Sequence, residues 1–415
     1  VVPRWVTILL GLHLGAGYIL VAAPEVLLGL PAPFTYAFRA SVCVASVWAA
    51  WLAIRDRAWA LPRWETLAIV TVMAFLVYRL AMMAMVPNPQ SMVPPERYWA
   101  AFFGIVAVPA AGFGMAISRA RLAMLSNWVL WSCLASVPLF VLAALSLPSV
   151  VKDVPRLGTD RVNPIVIGSA ASLIAVFGLV NRFQIGRPRS FTALSGWSPL
   201  LLAGLGWFLI ALTASRGPFF IGILCCLILV PFSRGVAWSG RLWAVAEQGV
   251  SCVLGYFLVI KLTPYNMFAR LANGATIESD EAFGRVPVLR RALGLFLDHP
   301  ITGTSPLDPR TGIYPHNQLV EMFVAAGVVG GVVMLYLLLR AATQVWRLSQ
   351  DSEYRWVAAL AIIAIGASFN SSSLFLDGRF WAAILLVLAV RPEPDLAGGP
   401  GEGPTGEQVH VKVRY

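Results

Sequence analysis

The chain has 415 residues, 58% of them hydrophobic and only 12% charged, with a mean hydropathy of +0.75. A soluble chain carries about a quarter charged residues, so the composition excludes an ordinary soluble enzyme and points to lipid as the solvent. The net charge of +11 would suggest a nucleic-acid partner in a soluble protein; here the cations lie in short loops between apolar runs, so topology accounts for them and no nucleic acid is expected.

A membrane crossing takes about 20 apolar residues. Twelve runs qualify: 5–23, 33–54, 66–86, 98–117, 127–147, 164–180, 197–213, 217–232, 242–262, 317–346, 356–371 and 379–390. They predict an all-α polytopic membrane protein with about 12 transmembrane helices. The first run has no cleavage-site pattern and is read as a retained helix. Only Ala214, Ser215 and Arg216 separate the seventh and eighth runs, and Arg216 with Pro218 favours a break there over one long helix. The five cysteines, Cys43, Cys133, Cys225, Cys226 and Cys252, all lie inside apolar runs, with no disulfide framework or zinc spacing. Residues 1–391 read as one membrane domain. The Gly-, Pro- and Glu-rich stretch 392–415 reads as a disordered tail.

Orientation follows from the arginines. Alternate loops carry Arg55, Arg57 and Arg63; Arg119 and Arg121; Arg182, Arg187 and Arg189; Arg234 and Arg241; and Arg347 and Arg355. These should be cytoplasmic, which puts both termini inside. Of the opposite loops, 24–32 has no Lys or Arg and 87–97 only Arg97, but the others break the pattern. Loop 148–163 holds Lys152, Arg156 and Arg161, the tight turn holds Arg216, and loop 263–316 holds Arg270, Arg285, Arg290, Arg291 and Arg310. Cations against the topology rule suggest an anionic ligand, although long loops also translocate regardless of charge.

Loop 263–316 is long enough to suggest a function of its own. Residues 284–298 predict an amphipathic helix with Leu289, Ala292, Leu293 and Phe296 on one side and Arg290, Arg291 and Asp298 opposite. Arg285 aligns with the apolar side, where a guanidinium needs an anionic partner. The loop ends at His316 and Asn317, directly before an apolar helix. A helix N-terminus keeps an imidazole neutral and able to accept a proton, while Asn317 suits a helix cap. A histidine that merely caps the helix is the plainer alternative.

Three ordered segments carry a resemblance: TASRGPFF at 213–220, FGRVPVLRRALGLFLDHPITGTSP at 283–306, and PHNQLVEMFVAAGVVGG at 315–331. Together they resemble the O-antigen ligase and polymerase superfamily of bacterial membrane glycosyltransferases. The resemblance implies a GT-C-like helical fold in the inner membrane, with the active site facing the periplasm. It implies an undecaprenyl-diphosphate-linked glycan as donor and, in a ligase, the lipid A–core oligosaccharide as acceptor. The family's SRG arginine matches Arg216, its loop-helix arginine Arg285 and its His-Asn histidine His316. An arginine before Asn163 and Pro164 matches Arg161.

The chemistry of these residue types agrees. Glycosyl transfer from a lipid diphosphate needs a leaving group stabilised as it gains charge. The outside loops hold no Asp-x-Asp cluster and no His/Glu metal spacing, so neither metal nor organic cofactor is expected. Guanidinium groups bind phosphate oxygens in a bidentate way instead. Arg216, Arg285 and Arg161 are therefore the expected diphosphate ligands and His316 the expected base, in a single inverting displacement. Asn317, Arg290 and Arg291 are expected in support, with Arg290 and Arg291 on a solvated face. Asp298, Asp308 and Asp280 are the carboxylate alternatives for the base. His13 is expected to pack between helices, His299 to end the loop helix, and His410 to lie in the tail. An O-antigen polymerase and a lipid-linked-glycan transporter remain the other readings. A transporter would place its polar groups at the membrane midplane.

Overall fold

The computed structural model describes residues 2–30, 32–86, 94–115, 117–146, 148–151, 154–157, 164–183, 198–263, 285–308, 311–371 and 373–391. Arg161, Asn163, Asp280, Arg310, His410 and the tail 392–415 therefore lie outside the described residues, and so does most of loop 263–316 before Arg285.

All twelve apolar runs contain helix, because only a helix satisfies a chain's backbone hydrogen bonds locally in lipid. In chain order they are α1 (Arg4–Leu14), α2 (Gly17–Leu27), α3 (Pro33–Arg55), α4 (Arg63–Met85), α5 (Pro95–Ala101), α6 (Val108–Ala111), α7 (Arg119–Ala135), α8 (Val137–Ser146), α9 (Pro164–Arg182), α10 (Pro199–Leu212), α11 (Arg216–Phe232) and α12 (Trp238–Leu262). The loop helix α13 (Arg285–Asp298) follows, then α14 (Gln318–Gln350), α15 (Arg355–Ser371) and α16 (Gly378–Ala389). Between α8 and α9, Pro148–Val151 and Val154–Leu157 pair as one short antiparallel hairpin, with Val151 opposite Val154.

Among the described residues, six helices are long and apolar enough to cross a membrane, or seven if a bent pair counts as one span. Helices α10, α11, α15 and α16 are apolar but shorter. A helix of 17 residues rises only about 25 Å, short of a hydrocarbon core of about 30 Å. Length and composition thus support fewer full spans than the twelve expected. The protein is a multi-pass membrane protein.

Several predicted rods are broken. The first run is the pair α1 and α2, bent by 67°, and Ser132 Oγ of α7 accepts the Ala16 N–H at 2.9 Å beside the bend. The fourth run passes through a π-helical turn at Phe102–Ala107 and a 3-10 turn at Gly112–Gly114. The tenth, α14, is interrupted at Gly327, whose φ of +63° is left-handed.

At the centre lies α9, buried along nearly its whole length. It lies tightly against α10 because Gly206 meets Ala175: a Cβ at Gly206 would fall 2.3 Å from the Ala175 nitrogen. Small residues at such a crossing let backbones approach where lipid supplies no hydrophobic drive. Around the periphery, Trp48, Trp51, Val253, Phe257 and Leu339 stay exposed, as expected of a surface bathed in lipid.

Candidate functional site

The site begins at the turn between α10 and α11. Thr213, Ala214 and Ser215 are buried, and Ala214 takes a left-handed φ of +47°. The Thr213 hydroxyl donates to the Ile210 carbonyl at 2.7 Å and accepts the Ser215 N–H at 3.3 Å. One turn further on, Ser172 Oγ of α9 donates to the Pro218 carbonyl at 3.1 Å. The turn is therefore pinned from both sides, and Arg216 leaves it half-buried as the first residue of α11.

Helix α11 runs antiparallel to α15. Gly366 lies against Ile221, and Cys225 Sγ donates to the Ala359 carbonyl at 3.8 Å. The chain leaving α15 reaches Ser373 and Leu374, which bind Glu321 in the first turn of α14. Ser373 Oγ donates to Glu321 Oε1 at 2.6 Å, and the Leu374 N–H donates to Oε2 at 3.0 Å. Arg216, Ser373 and His316 thus share one end of the bundle.

His316 itself has a left-handed φ of +57°. A non-glycine residue held there costs about 1–3 kcal/mol and persists only where its surroundings fix it. Those surroundings are visible. The Tyr314 ring lies 4.5 Å from the imidazole, centroid to centroid. The Asn317 carboxamide accepts the Val320 N–H at 3.1 Å, so Asn317 is the cap of α14. Gln318 Nε2 donates to Asp377 Oδ2 at 3.2 Å, while Asp377 Oδ1 accepts the Phe380 N–H at 3.0 Å and caps α16. Below His316 the first turn of α14 is thus tied to the 373–380 segment by Gln318 and Glu321. The Tyr314 phenol is pushed up to about 12 by burial first, then by the Glu321 and Asp377 carboxylates.

Helix α13 sits beside this floor, with the Phe296 and Phe323 rings 5.4 Å apart. Of its expected inward side, Leu289, Ala292 and Phe296 are buried or half-buried, and only Leu293 is not. Val288 and Ala292 are buried, whereas Leu293 is 46% exposed and Leu297 is 72% exposed. Arg291 turns inward and gives its Nε–H to Asp308 Oδ2 at 2.6 Å. Asp308 also accepts the Thr311 hydroxyl at 3.0 Å. Asp308 therefore braces the loop, and Arg291 leaves the solvated face where Arg290 remains. The physical reason is the ion pair: a carboxylate only 3% exposed needs a cation, and hydropathy cannot foresee that pairing. Helix α13 starts at Arg285. The His299 N–H bonds the Leu295 and Phe296 carbonyls at 3.2 Å, so His299 ends this helix as expected. Asp298 is exposed at its last position. His13 stacks on Phe113 between helices, at 6.5 Å.

One residue escaped the sequence reading. Arg79 of α4, inside an apolar run and only 7% exposed, donates through Nε to the Ala325 carbonyl and through Nη2 to the Thr302 carbonyl. The signal was available, because a charge within a membrane helix is a functional or structural site by default. Around it, the Val328 N–H reaches the Pro300 carbonyl and the Thr304 N–H the Val324 carbonyl, each at 2.7 Å. The backbone groups released by the break at Gly327 are met by loop 300–304 and by Arg79.

Residues 200–335, about a third of the chain, match the family model described as O-Antigen ligase. The match supports an O-antigen ligase family assignment. It spans Arg216, Arg285 and His316, together with the loop and the break in α14; Arg161 and Arg79 lie outside it. No curated protein matches the chain.

Proposed function

We propose that this protein is an O-antigen ligase of the bacterial inner membrane. It takes a glycan from undecaprenyl diphosphate and transfers it to the lipid A–core oligosaccharide at the periplasmic surface, with both termini in the cytoplasm. The observation that carries this reading is the family match over 200–335, whose two ends bring Arg216 and His316 to the same end of the bundle.

The chemistry is a single displacement. The acceptor hydroxyl oxygen attacks the anomeric carbon and forms the new C–O bond. The bond from that carbon to the diphosphate oxygen breaks, and the electron pair leaves on the diphosphate. The hydroxyl proton passes to the His316 imidazole. Configuration inverts because one nucleophile enters opposite one leaving group. Arg216, with Arg285 and Arg161, stabilises the departing diphosphate, as preorganised guanidinium groups can. Arg290, exposed on α13, faces the anionic acceptor headgroup. Arg291 and Asn317 support the site through the ion pair to Asp308 and the cap of α14.

The family supports a related polymerase as the second reading. It uses the same donor chemistry and extends the lipid-linked glycan. Reconstitution separates the two. Purified protein receives the lipid-linked donor, the lipid A–core acceptor and a chelator, and products are resolved on a gel. A larger lipopolysaccharide band that falls about 10²–10⁴-fold in His316→Ala, and is mostly lost in Arg216→Ala as well, supports the ligase. Growth of the lipid-linked glycan alone moves the assignment to the polymerase. Neither product, with a donor shown to be competent, reopens the transporter.

A further inference from the structure

At the end of the bundle opposite His316, a cavity of about 430 Å³ opens between the start of α4, the last third of α14 and the end of α16. Its polar lining is Glu65, Arg340, Thr343, Gln344, Arg347 and Arg391. Arg340 gives its Nε–H to Glu65 Oε1 at 2.7 Å, and Glu65 is buried, so that pair is internally balanced. Gln344 Nε2 donates to the Val390 carbonyl at 2.6 Å and fixes the end of α16 against α14. Arg347 and Arg391 then contribute two positive charges, with no second carboxylate among the described lining residues.

The depth of the cavity identifies what it meets. From Gln318 to Arg347, α14 rises about 40 Å, enough to carry the cavity to the other membrane surface. Trp64 and Trp346, each next in sequence to a lining residue, are 69% and 46% exposed, and exposed tryptophans mark the headgroup level. The cavity thus combines excess guanidinium charge, hydroxyl and amide groups and lipid-level walls.

We propose that this cavity binds the phosphate headgroup of an anionic phospholipid, with Arg347 and Arg391 as its ligands. Basic pockets between membrane helices at the cytoplasmic surface are suited to such headgroups. The site lies away from His316 and does not depend on the transfer reading.

The full chain, in nanodiscs of phosphatidylcholine with or without phosphatidylglycerol, is examined by native mass spectrometry for retained lipid. The double variant Arg347→Gln/Arg391→Gln should retain phosphatidylglycerol about tenfold less well than the unaltered protein. Arg391→Gln alone, at the end of its helix, should shift retention in the same direction. The control is Arg234→Gln: Arg234 is exposed at the same end, just after Phe232, whose ring lies 3.9 Å from Trp346. It should retain lipid like the unaltered protein. Displacement of the lipid by millimolar inorganic phosphate would assign the same ligands to a free phosphate source; persistence would assign them to the lipid. Equal retention by the double variant, or equal loss in Arg234→Gln, would overturn the proposal.

Discussion

Arg79 on α4 holds the carbonyl of Ala325 on α14, two residues before the chain turns left-handed at Gly327. The same guanidinium reaches Thr302 in the loop that follows α13. A break in a membrane helix releases backbone groups that lipid cannot satisfy, and this arginine meets one of them and a loop carbonyl beside it. Arg79→Leu should leave both carbonyls bare, at about 1–3 kcal/mol each, and lower the thermal midpoint in detergent. Arg79→Lys should fall between, since one ammonium cannot fork to both oxygens. An unchanged midpoint in Arg79→Leu would remove this role.

The break itself depends on glycine at two positions. A Cβ on Gly327 would fall 2.1 Å from the Ile301 carbonyl oxygen, and one on Gly303 would fall 2.6 Å from the Ala325 carbonyl carbon. Both residues have positive φ. Gly327→Ala should therefore push loop 300–304 off α14, with a loss of at least about 1–2 kcal/mol from the left-handed conformation alone. Hydrogen exchange at Thr304 and Val328, whose N–H groups bond across this junction, should accelerate. Unaltered protection at both amides would contradict the docking.

The pair Arg291–Asp308 predicts an asymmetric result. Asp308 is the more deeply buried partner, with its side chain 3% exposed against 22% for Arg291. Arg291→Ala removes the cation from a buried carboxylate and should destabilise by up to about 3–5 kcal/mol, more than Asp308→Ala, which removes the anion from a cation closer to solvent. The double variant should recover part of the loss. A double-mutant cycle in urea reads the coupling, and strictly additive losses would mean that the two side chains do not interact.

Tyr314 bears on pH dependence. Its phenol, pushed up to about 12 by burial and by Glu321 and Asp377, prefers the neutral form in the folded state. The stability this gives is complete below the ordinary value near 10 and is lost as pH rises through about 12. Tyr314→Phe should therefore match the unaltered protein's slope of stability below pH 10 and show a shallower fall between about 10 and 12. The profile of glycan transfer below pH 9 should keep its shape in Tyr314→Phe, because a phenol pushed up to about 12 stays protonated throughout that range. A displaced profile would bring Tyr314 into the proton transfer.

Much of the architecture was legible in the chain because it depends on local sequence. The apolar runs mark the helices, since hydropathy reports the solvent a segment needs. Arg216 and Pro218 mark the break between α10 and α11, Asn317 the cap of α14, and His299 the end of α13, since each acts on its own or neighbouring backbone. Two positions of α13, Leu293 and Arg291, were not legible. Hydropathy assumes that apolar residues face inward and charges outward, whereas α13 exposes Leu293 and Leu297 and turns Arg291 toward Asp308. The sequence by itself thus determined a multi-pass helical protein and the order of its motifs. Only the tertiary structure decided that Arg79 spans to Ala325, that Glu321 holds Ser373 and Leu374, and that α14 breaks at Gly327. These contacts join segments far apart along the chain. Their stability comes from satisfying buried polar groups, which depends on which partner arrives and not on the hydropathy of either segment.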